Sequence, residues 1–462
     1  MNSLIRSREG SNYSKTMPTP SHSELDKTLG MFYYSTRYPG IGGKLKERPE
    51  DFVVIEISLG NVECLPGVAE RLSSGTGDYT WFLLEKRNID TITALRLVAC
   101  SVGVSYKKIS VAGLKDTKAV TFQLASVEGV PPESFPPQIC SKVRIHDAFR
   151  MPFKLTAGML QGNRFEVKVK CVELSYDEVN ERVAKIQEEL KYVGAPNYYG
   201  YQRFGTIRPL THIIGKLILK GSFKEAVYIF LTKVYPLESP KAKEARTYLE
   251  STWDVKGALE AFPNKLHHER TILRYLLKHP NDYSGAIRAL PLSVRRLCVE
   301  AYQAYLFNLI LSRRLGQELP LNQPIKGDLV ALKGYETAVI RVRDSNLDKV
   351  KELVSRGCAE VVGNVFGYAS VLSEDLPGML EKEVLSEEGI SLDEFKVRSM
   401  PELSSRGTFR ALTLTPEGLR WRLDKYNEQY SVNFSFKLRK GEYATVLLRE
   451  FVKPVDPAIQ GF

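Results

Sequence analysis

The sequence predicts a mixed α/β fold, and three observations lead there. Short β-branched runs bounded by Pro or Gly recur through the first third of the 462 residues, as strands require. Between and after them lie segments whose apolar residues repeat at three- and four-residue spacing, several opened by a capping signal, the mark of amphipathic helices. Apolar residues make up 43% of the chain, which rules out wholesale disorder and supplies cores for both element types. At this length two or three domains are expected.

Taken in order, residues 1–30 hold six Ser and two Pro with little periodicity and read as a flexible leader. Phe52–Ser58 is β-branched, with Pro49 before it and Gly60 after it, and reads as a strand; Tyr79–Glu85 reads as another. Asp90 caps a helix whose Ile92, Leu95, Ala99 and Val102 share one face. Ile109–Ala112 and Val120–Ala125 read as short strands, so Gly113–Lys118 is a loop between them. Arg164–Cys171 alternates charged and apolar residues, the period of a half-buried strand. Ser175–Glu178 is a capping box ahead of a helix carrying Val179, Val183, Ile186 and Leu190; Gly194 and Pro196 stop it. The aromatics from Tyr198 to Phe204, with Gly200 and Gly205, read as an irregular packed loop.

The middle third is richer in helices. Ser222–Glu225 is a second capping box, and a long helix spans Ser293–Gly316, with Leu297, Ala301, Ala304 and Leu309 inward and Arg295, Arg296, Arg313 and Arg314 on a solvated face. Residues 328–342 turn strand-like, and Ser373–Glu394 is acidic and loop-rich. Phe409–Thr415 and Phe434–Leu438 read as strands and Tyr443–Val452 as a helix.

Composition narrows the function classes. Lys and Arg number 65 against 54 Asp and Glu, a formal net charge of +11. A basic excess suits a polyanionic partner, since Lys and Arg neutralise phosphates and release counterions, though a merely basic protein has the same composition. The six Cys and six His are scattered, with no CxxC pair and no HExxH, so neither a disulfide framework nor a zinc site is expected. There is no GxxxxGK[ST] phosphate loop and no GxSxG elbow. No run of about eighteen apolar residues suggests a membrane span, the N-terminus does not read as a signal peptide, and a cytoplasmic location is expected.

The most informative stretch is the loop within Ala112–Thr121. Gly113 lets the backbone turn, and Asp116 stands between Lys115 and Lys118 in the chain. Cations beside a carboxylate favour its ionised form, which suits a nucleophile or an electrostatic anchor. An ordinary turn with solvated charges has the same pattern, so the loop decides nothing by itself.

Its flanks decide more. Ala112, Gly113, Lys115, Asp116, Ala119, Thr121 and Gln123 fill every fixed position of AGxKDxxAxTxQ. Lys46 with Pro49–Val53 fits KxxPEDFxV, and Gly162–Phe165 fits GNxF. Pro196–Gly200 with Gln202–Gly205 fits PNYFGxQRFG, with Tyr199 in place of the usual Phe. In these four ordered blocks, from about Ile41 to the C-terminus, the chain resembles the tRNA pseudouridine synthase D (TruD) family.

That resemblance implies an isomerase that converts uridine 13 of tRNA to pseudouridine, with tRNA as partner and with no cofactor, no metal and no membrane. It implies a pseudouridine synthase catalytic domain with an antiparallel-dominated sheet, circularly permuted, plus an inserted TRUD domain. The expected boundaries are 31–193 and 406–462 for the catalytic domain and 194–405 for the insert. Asp116 matches the catalytic aspartate. Lys46 matches an active-site lysine that pairs with Asp116 or a phosphate, Asn163 a group that positions Asp116 or bonds a loop carbonyl, and Phe165 the ring that stacks on the flipped base. Phe165 has no hydroxyl, so another group must take the C5 proton. Three routes stay open: attack at C1′, proton abstraction at C2′, or attack at C6 of the ring. Glu50 and Asp51 read as structural and Arg203 as a loop clamp. The rival reading from another class is a non-catalytic RNA-binding or RNA-folding protein, which has no need of a carboxylate in a base pocket. The sequence carries no signal of oligomeric state.

Overall fold

A computed structural model describes residues 17–334, 338–426 and 429–462, without the side chains of residues 426 and 429. The chain divides into two compact units. One comprises Gly40–Ala184 and Leu414–Phe462; the other comprises the chain up to Pro39 together with Lys185–Thr413. The contacts thus divide the chain at 39/40, 184/185 and 413/414, and the second crossing falls inside the helix Tyr176–Val193. Part of the stretch read as a flexible leader has regular structure. Thr19–Pro20 pairs with Tyr33–Tyr34, and Glu24–Thr28 is a short helix capped by Ser23. Leu29 and Asp26 are buried, and the Tyr201 hydroxyl donates to Asp26 Oδ1 at 2.6 Å. The earlier part, residues 1–16, lies outside the described residues.

The first unit is built on a ten-stranded sheet. Its strands are β1 (Phe52–Ser58), β2 (Val62–Glu63), β3 (Tyr79–Arg87), β4 (Ser110–Val111), β5 (Val120–Glu128), β6 (Gln138–Cys140), β7 (Val143–Met151), β8 (Gly162–Val172), β9 (Glu417–Tyr426) and β10 (Gln429–Arg439). Their order is β9-β10-β8-β1-β5-β3-β7-β6, with β2 on β1 and β4 on β5. Only β1 and β5 run parallel; the other pairings are antiparallel. Strands from after residue 413 pair with β8, so both segments of the unit build one sheet.

Side chains alternate across a strand, and the register therefore sets which residues share a face. On one face Phe82, Leu84, Ala125 and Val127 pack against Ala94, Leu95 and Val98 of the helix Thr91–Ser101. Asp90 caps that helix by accepting from Thr93 N at 2.9 Å. Ile92, expected inward, is exposed, because the buried face follows Thr91, Ala94, Leu95, Val98 and Ala99 instead. The opposite face buries Trp81, Leu83, Leu124 and Phe149.

The second unit is mainly helical, with a four-stranded antiparallel sheet in the order Val339–Arg341, Leu329–Leu332, Ala359–Val365, Thr408–Ala411. Its helix Leu292–Gly316 corrects the outward placement of Arg295 and Arg314, whereas Arg296 is exposed as read and Arg313 is half-buried. Arg314 is buried in a two-pronged pair with Asp328, at 2.5 and 2.8 Å. Arg295 is buried against Glu402, whereas Leu297 is exposed. A buried guanidinium needs a carboxylate partner, and those partners lie outside the helix, 14 positions on for Arg314 and 107 for Arg295. Ser373–Glu394, read as loop-rich, contains the helix Asp375–Glu387. Ser222 makes no side-chain cap, so the second capping box does not form. The first does form, with Ser175 N donating to Glu178 Oε2 at 3.1 Å.

Candidate active site around Asp116

The loop after β4 is tied to the sheet at each end and in the middle. Gln123 Nε2, from β5, donates to Gly113 O at 3.2 Å. Lys115 N donates to Thr91 Oγ1 at 3.1 Å, at the start of the helix that packs on this face. Lys86 Nζ, from β3, donates to Asp116 O at 2.5 Å. Asn88 N donates to Ala119 O at 3.1 Å. A loop that would otherwise leave backbone groups unmet thus has them bonded at four residues. The spacing of the motif follows: Gly113 and Gln123 meet each other, and Ala119 is fully buried where a larger side chain has no room.

The chain neighbours of Asp116 are not its charge partners, which corrects the expectation from spacing. Lys115 turns away and pairs with Glu56 Oε2 at 2.7 Å, both side chains being buried. Glu56 Oε1 also accepts from Leu124 N at 3.2 Å, beyond the last paired residues of β1 and β5, Ile55 and Phe122. Lys118 is exposed. The cation that faces Asp116 is Lys46, whose Nζ stands 3.5 Å from Oδ1. Lys46 is 7% exposed and adopts φ 54°. Its ammonium also lies 4.3 Å from the centroid of the Phe52 ring, a cation–π contact. The Asp116 side chain is 31% exposed, more than the lysine it faces.

Phe165 is reached through the same contacts. The Phe52 ring meets it edge-on at 6.0 Å, and Phe436 stacks on it at 5.5 Å. Register explains this: Phe436, Phe165, Val54, Thr121 and Lys86 are successive cross-strand neighbours on five strands. Phe165 is therefore a packed ring, 6% exposed. Asn163 is the cross-strand neighbour of Glu56. It makes no hydrogen bond to Asp116 among the described residues, and its buried Oδ1 has no partner. Three of the four predicted site residues, Lys46, Asp116 and Phe165, thus form one contact series through Phe52; Asn163 stands beside it with an unmet acceptor.

Asp51 and Glu50 are structural, as read. Asp51 is buried, accepts from Arg48 N at 2.8 Å and pairs with Lys170 at 2.7 Å, and Glu50 pairs with Arg87. In the other unit Arg203 pairs with Glu300 at 2.9 Å. A cavity of about 770 Å³ in that unit, lined by Phe223, Tyr228, Trp253 and Tyr283 among others, includes none of the predicted site residues.

The sequence reading missed Lys86, Glu56 and Thr91. Period-2 alternation carried a signal: Lys86 shares a parity with Phe82 and Leu84, and Glu56 with Phe52 and Val54. Lys and Glu on the inward face of a strand are almost never buried unless paired. No group of three or more His, Cys, Asp or Glu among the described residues could hold a metal ion, and no described helix is long and apolar enough to cross a membrane.

Comparison with known proteins agrees with the motif blocks. The family model described as tRNA pseudouridine synthase D (TruD) matches residues 28–451. A relative from Thermococcus gammatolerans, named "Probable tRNA pseudouridine synthase D", is 41% identical over 430 residues, 92% of this chain and 98% of its own. One of the same name from Methanococcoides burtonii is 34% identical over 441 residues, 94% of this chain and 98% of its own. A crystal structure described as the "Putative tRNA pseudouridine synthase D (TruD)" from Methanosarcina mazei superposes with a TM-score of 0.78 at 32% identity, covering 94% of this chain and 98% of that one. Motifs, fold and overall similarity agree, and the chain belongs to the tRNA pseudouridine synthase D (TruD) family, isomerases that act on uridine in RNA.

Proposed function

We propose that this protein converts uridine 13 of tRNA to pseudouridine in the cytoplasm, with Asp116 as the group that attacks or deprotonates the target nucleoside. One observation carries the reading. Asp116 is a partly open carboxylate whose backbone is bonded from inside the sheet, with a buried lysine ammonium 3.5 Å from Oδ1. A turn with solvated charges needs none of these ties. Fixing a reacting group in one geometry converts much of the barrier into binding already done.

The target uridine leaves the base stack to reach a carboxylate held this way. The carboxylate then attacks C1′ with loss of uracil, removes a proton from C2′ to leave a glycal, or attacks C6 of the ring. In each case the N1–C1′ bond breaks and C5 bonds C1′; the carboxylate is released from C1′ or C6, or returns its proton to C2′, and the C5 proton goes to water or to Asp116, because Phe165 offers no hydroxyl. The base is read as stacking on the Phe165 ring, on which Phe436 already stacks from one side, and Asn163 Oδ1 is a buried acceptor without a partner beside it. Lys46 stands where it can bond the carboxylate or a phosphate.

The test is Asp116→Asn, with pseudouridine mapped at position 13 of tRNA. The variant is expected to form none while keeping RNA affinity within a few-fold. Full activity in this variant ends the assignment of Asp116. Deleting the protein and mapping total tRNA identifies the uridine itself; an unchanged position 13 removes that site.

A further inference from the structure

We propose that Lys86 is a positioning residue for the reaction: its ammonium, rising from the sheet interior, holds the Asp116 backbone and thereby sets the direction of the carboxylate. This rests on the reading of Asp116 given under Proposed function and adds a second residue to it.

The geometry is specific. Lys86 lies on β3 with no exposed surface, directly opposite Thr121 on β5. Its Nζ donates to two carbonyls, Asp116 O at 2.5 Å and Ile89 O at 3.0 Å. These belong to different segments, the loop carrying Asp116 and the turn ahead of the helix Thr91–Ser101. One ammonium therefore joins the reactive loop to the elements beneath it. Hydrogen bonds from a charged donor are about twice as strong as neutral ones.

A cation is an expensive way to join two carbonyls. Taking an ammonium out of water costs several kcal/mol, and the charge is retained inside a protein only with partners. The charged groups facing Lys86 are Asp116 and Asp90, which favour its protonation, and Lys115, which opposes it; Lys115 is itself paired with Glu56, and Lys46 stands at the far side of Asp116. Burial outweighs these and pushes the Lys86 ammonium down to about 8. Its charge is therefore lost just above neutrality, whereas an ordinary lysine keeps it to about 10.4. A purely structural stitch carries no such sensitivity into the rate.

The experiment uses the full-length protein with Lys86→Met and Lys86→Arg, alongside the parent and Asp116→Asn. Pseudouridine formation in tRNA is followed from pH 6.5 to 10. Lys86→Met is expected to lower kcat about 100-fold, the scale of a 1 Å misplacement, with KM for tRNA within threefold. The parent is expected to lose activity with a midpoint near pH 8. This alkaline limb should vanish in Lys86→Met and move up by at least one pH unit in Lys86→Arg, whose guanidinium stays charged. A kcat within threefold of the parent, or an alkaline limb unmoved in both variants, overturns the proposal. Amide exchange supplies a readout without turnover: Asp116–Ala119 should exchange at least tenfold faster in Lys86→Met, with β1 and β8 unchanged. Unaltered exchange in the loop overturns the proposal even if the parent proves inactive on tRNA, an outcome that refutes the proposed function separately.

Discussion

Removing the charge of Lys115 should cost stability through Glu56, a strand residue 59 positions earlier in the chain. The two charged atoms are 2.7 Å apart, and their side chains are 4% and 0% exposed. At an effective dielectric near 20, unit charges at that separation attract by about 6 kcal/mol before desolvation. Desolvation cancels much of this, so the pair adds little compared with two apolar residues; stranding either partner costs about 3–5 kcal/mol. Lys115→Met leaves the Glu56 carboxylate with Leu124 N alone. Glu56→Gln keeps an acceptor for Leu124 N but leaves the ammonium facing a neutral amide. Each single variant should lose about 3–5 kcal/mol. The double variant strands no charge and should be more stable than the sum of the singles by at least about 2 kcal/mol, within the range for directly contacting residues. The assay is urea unfolding read by Trp81 and Trp421 fluorescence, both in this unit, in a Trp253→Phe background. Additive losses, within about 0.5 kcal/mol, would refute the pairing and return Lys115 to Asp116 as its counter-ion.

Phe165→Ala should destabilise the same unit by about 3–5 kcal/mol, because the ring is packed between Phe52 and Phe436. Under conditions where it stays folded it should also weaken base capture by about 1–3 kcal/mol, measured as tRNA affinity; a variant with native stability and affinity would remove the ring from both roles. Gly162→Ala places a Cβ 2.4 Å from Leu438 O, so β8 and β10 must separate; calorimetry should show a loss of about 1–3 kcal/mol, and a neutral result would contradict the register. In the helical unit His212 is buried between Phe204 and Tyr305, and burial pushes its imidazole down to about 4. The unfolded chain binds a proton below about pH 6.5 that the folded site refuses. This contribution to stability is therefore full above pH 6.5 and lost as pH falls toward 4, by about 3 kcal/mol in total. His212→Phe should flatten the acid limb of stability between those limits, and an unchanged limb would count against the site. EDTA should leave pseudouridine formation unaltered; inhibition reversed by a divalent ion would count against a carboxylate mechanism without metal.

Much of this was legible in the chain. The strand at Phe52–Ser58 occupies the residues its β-branched run marks, and the helix at Asp90 begins where its cap does. The loop at Gly113–Lys118 lies between strands as read. Boundaries and pairings were less accessible. The strand Glu417–Tyr426 was missed, since its run mixes charge with no β-branched residue and is held by pairing with β10. The helix Asp375–Glu387 was read as loop because acidic residues masked Leu380, Val384 and Leu385, which are buried at helical spacing.

Local chemistry determined what can be read one residue at a time, caps and β-branched runs above all, while Asp116, Lys46, Asn163 and Phe165 were brought together only by the resemblance of three motif blocks to a family. Only the folded chain decided which charges meet. Adjacent residues in an extended loop point in different directions, so Lys115, next to Asp116, reaches Glu56, while Lys46 and Lys86, 70 and 30 positions away, approach its carboxylate and its carbonyl. A charge buried in a sheet must find its partner across strands, and strand register, a property of the whole fold, supplies it.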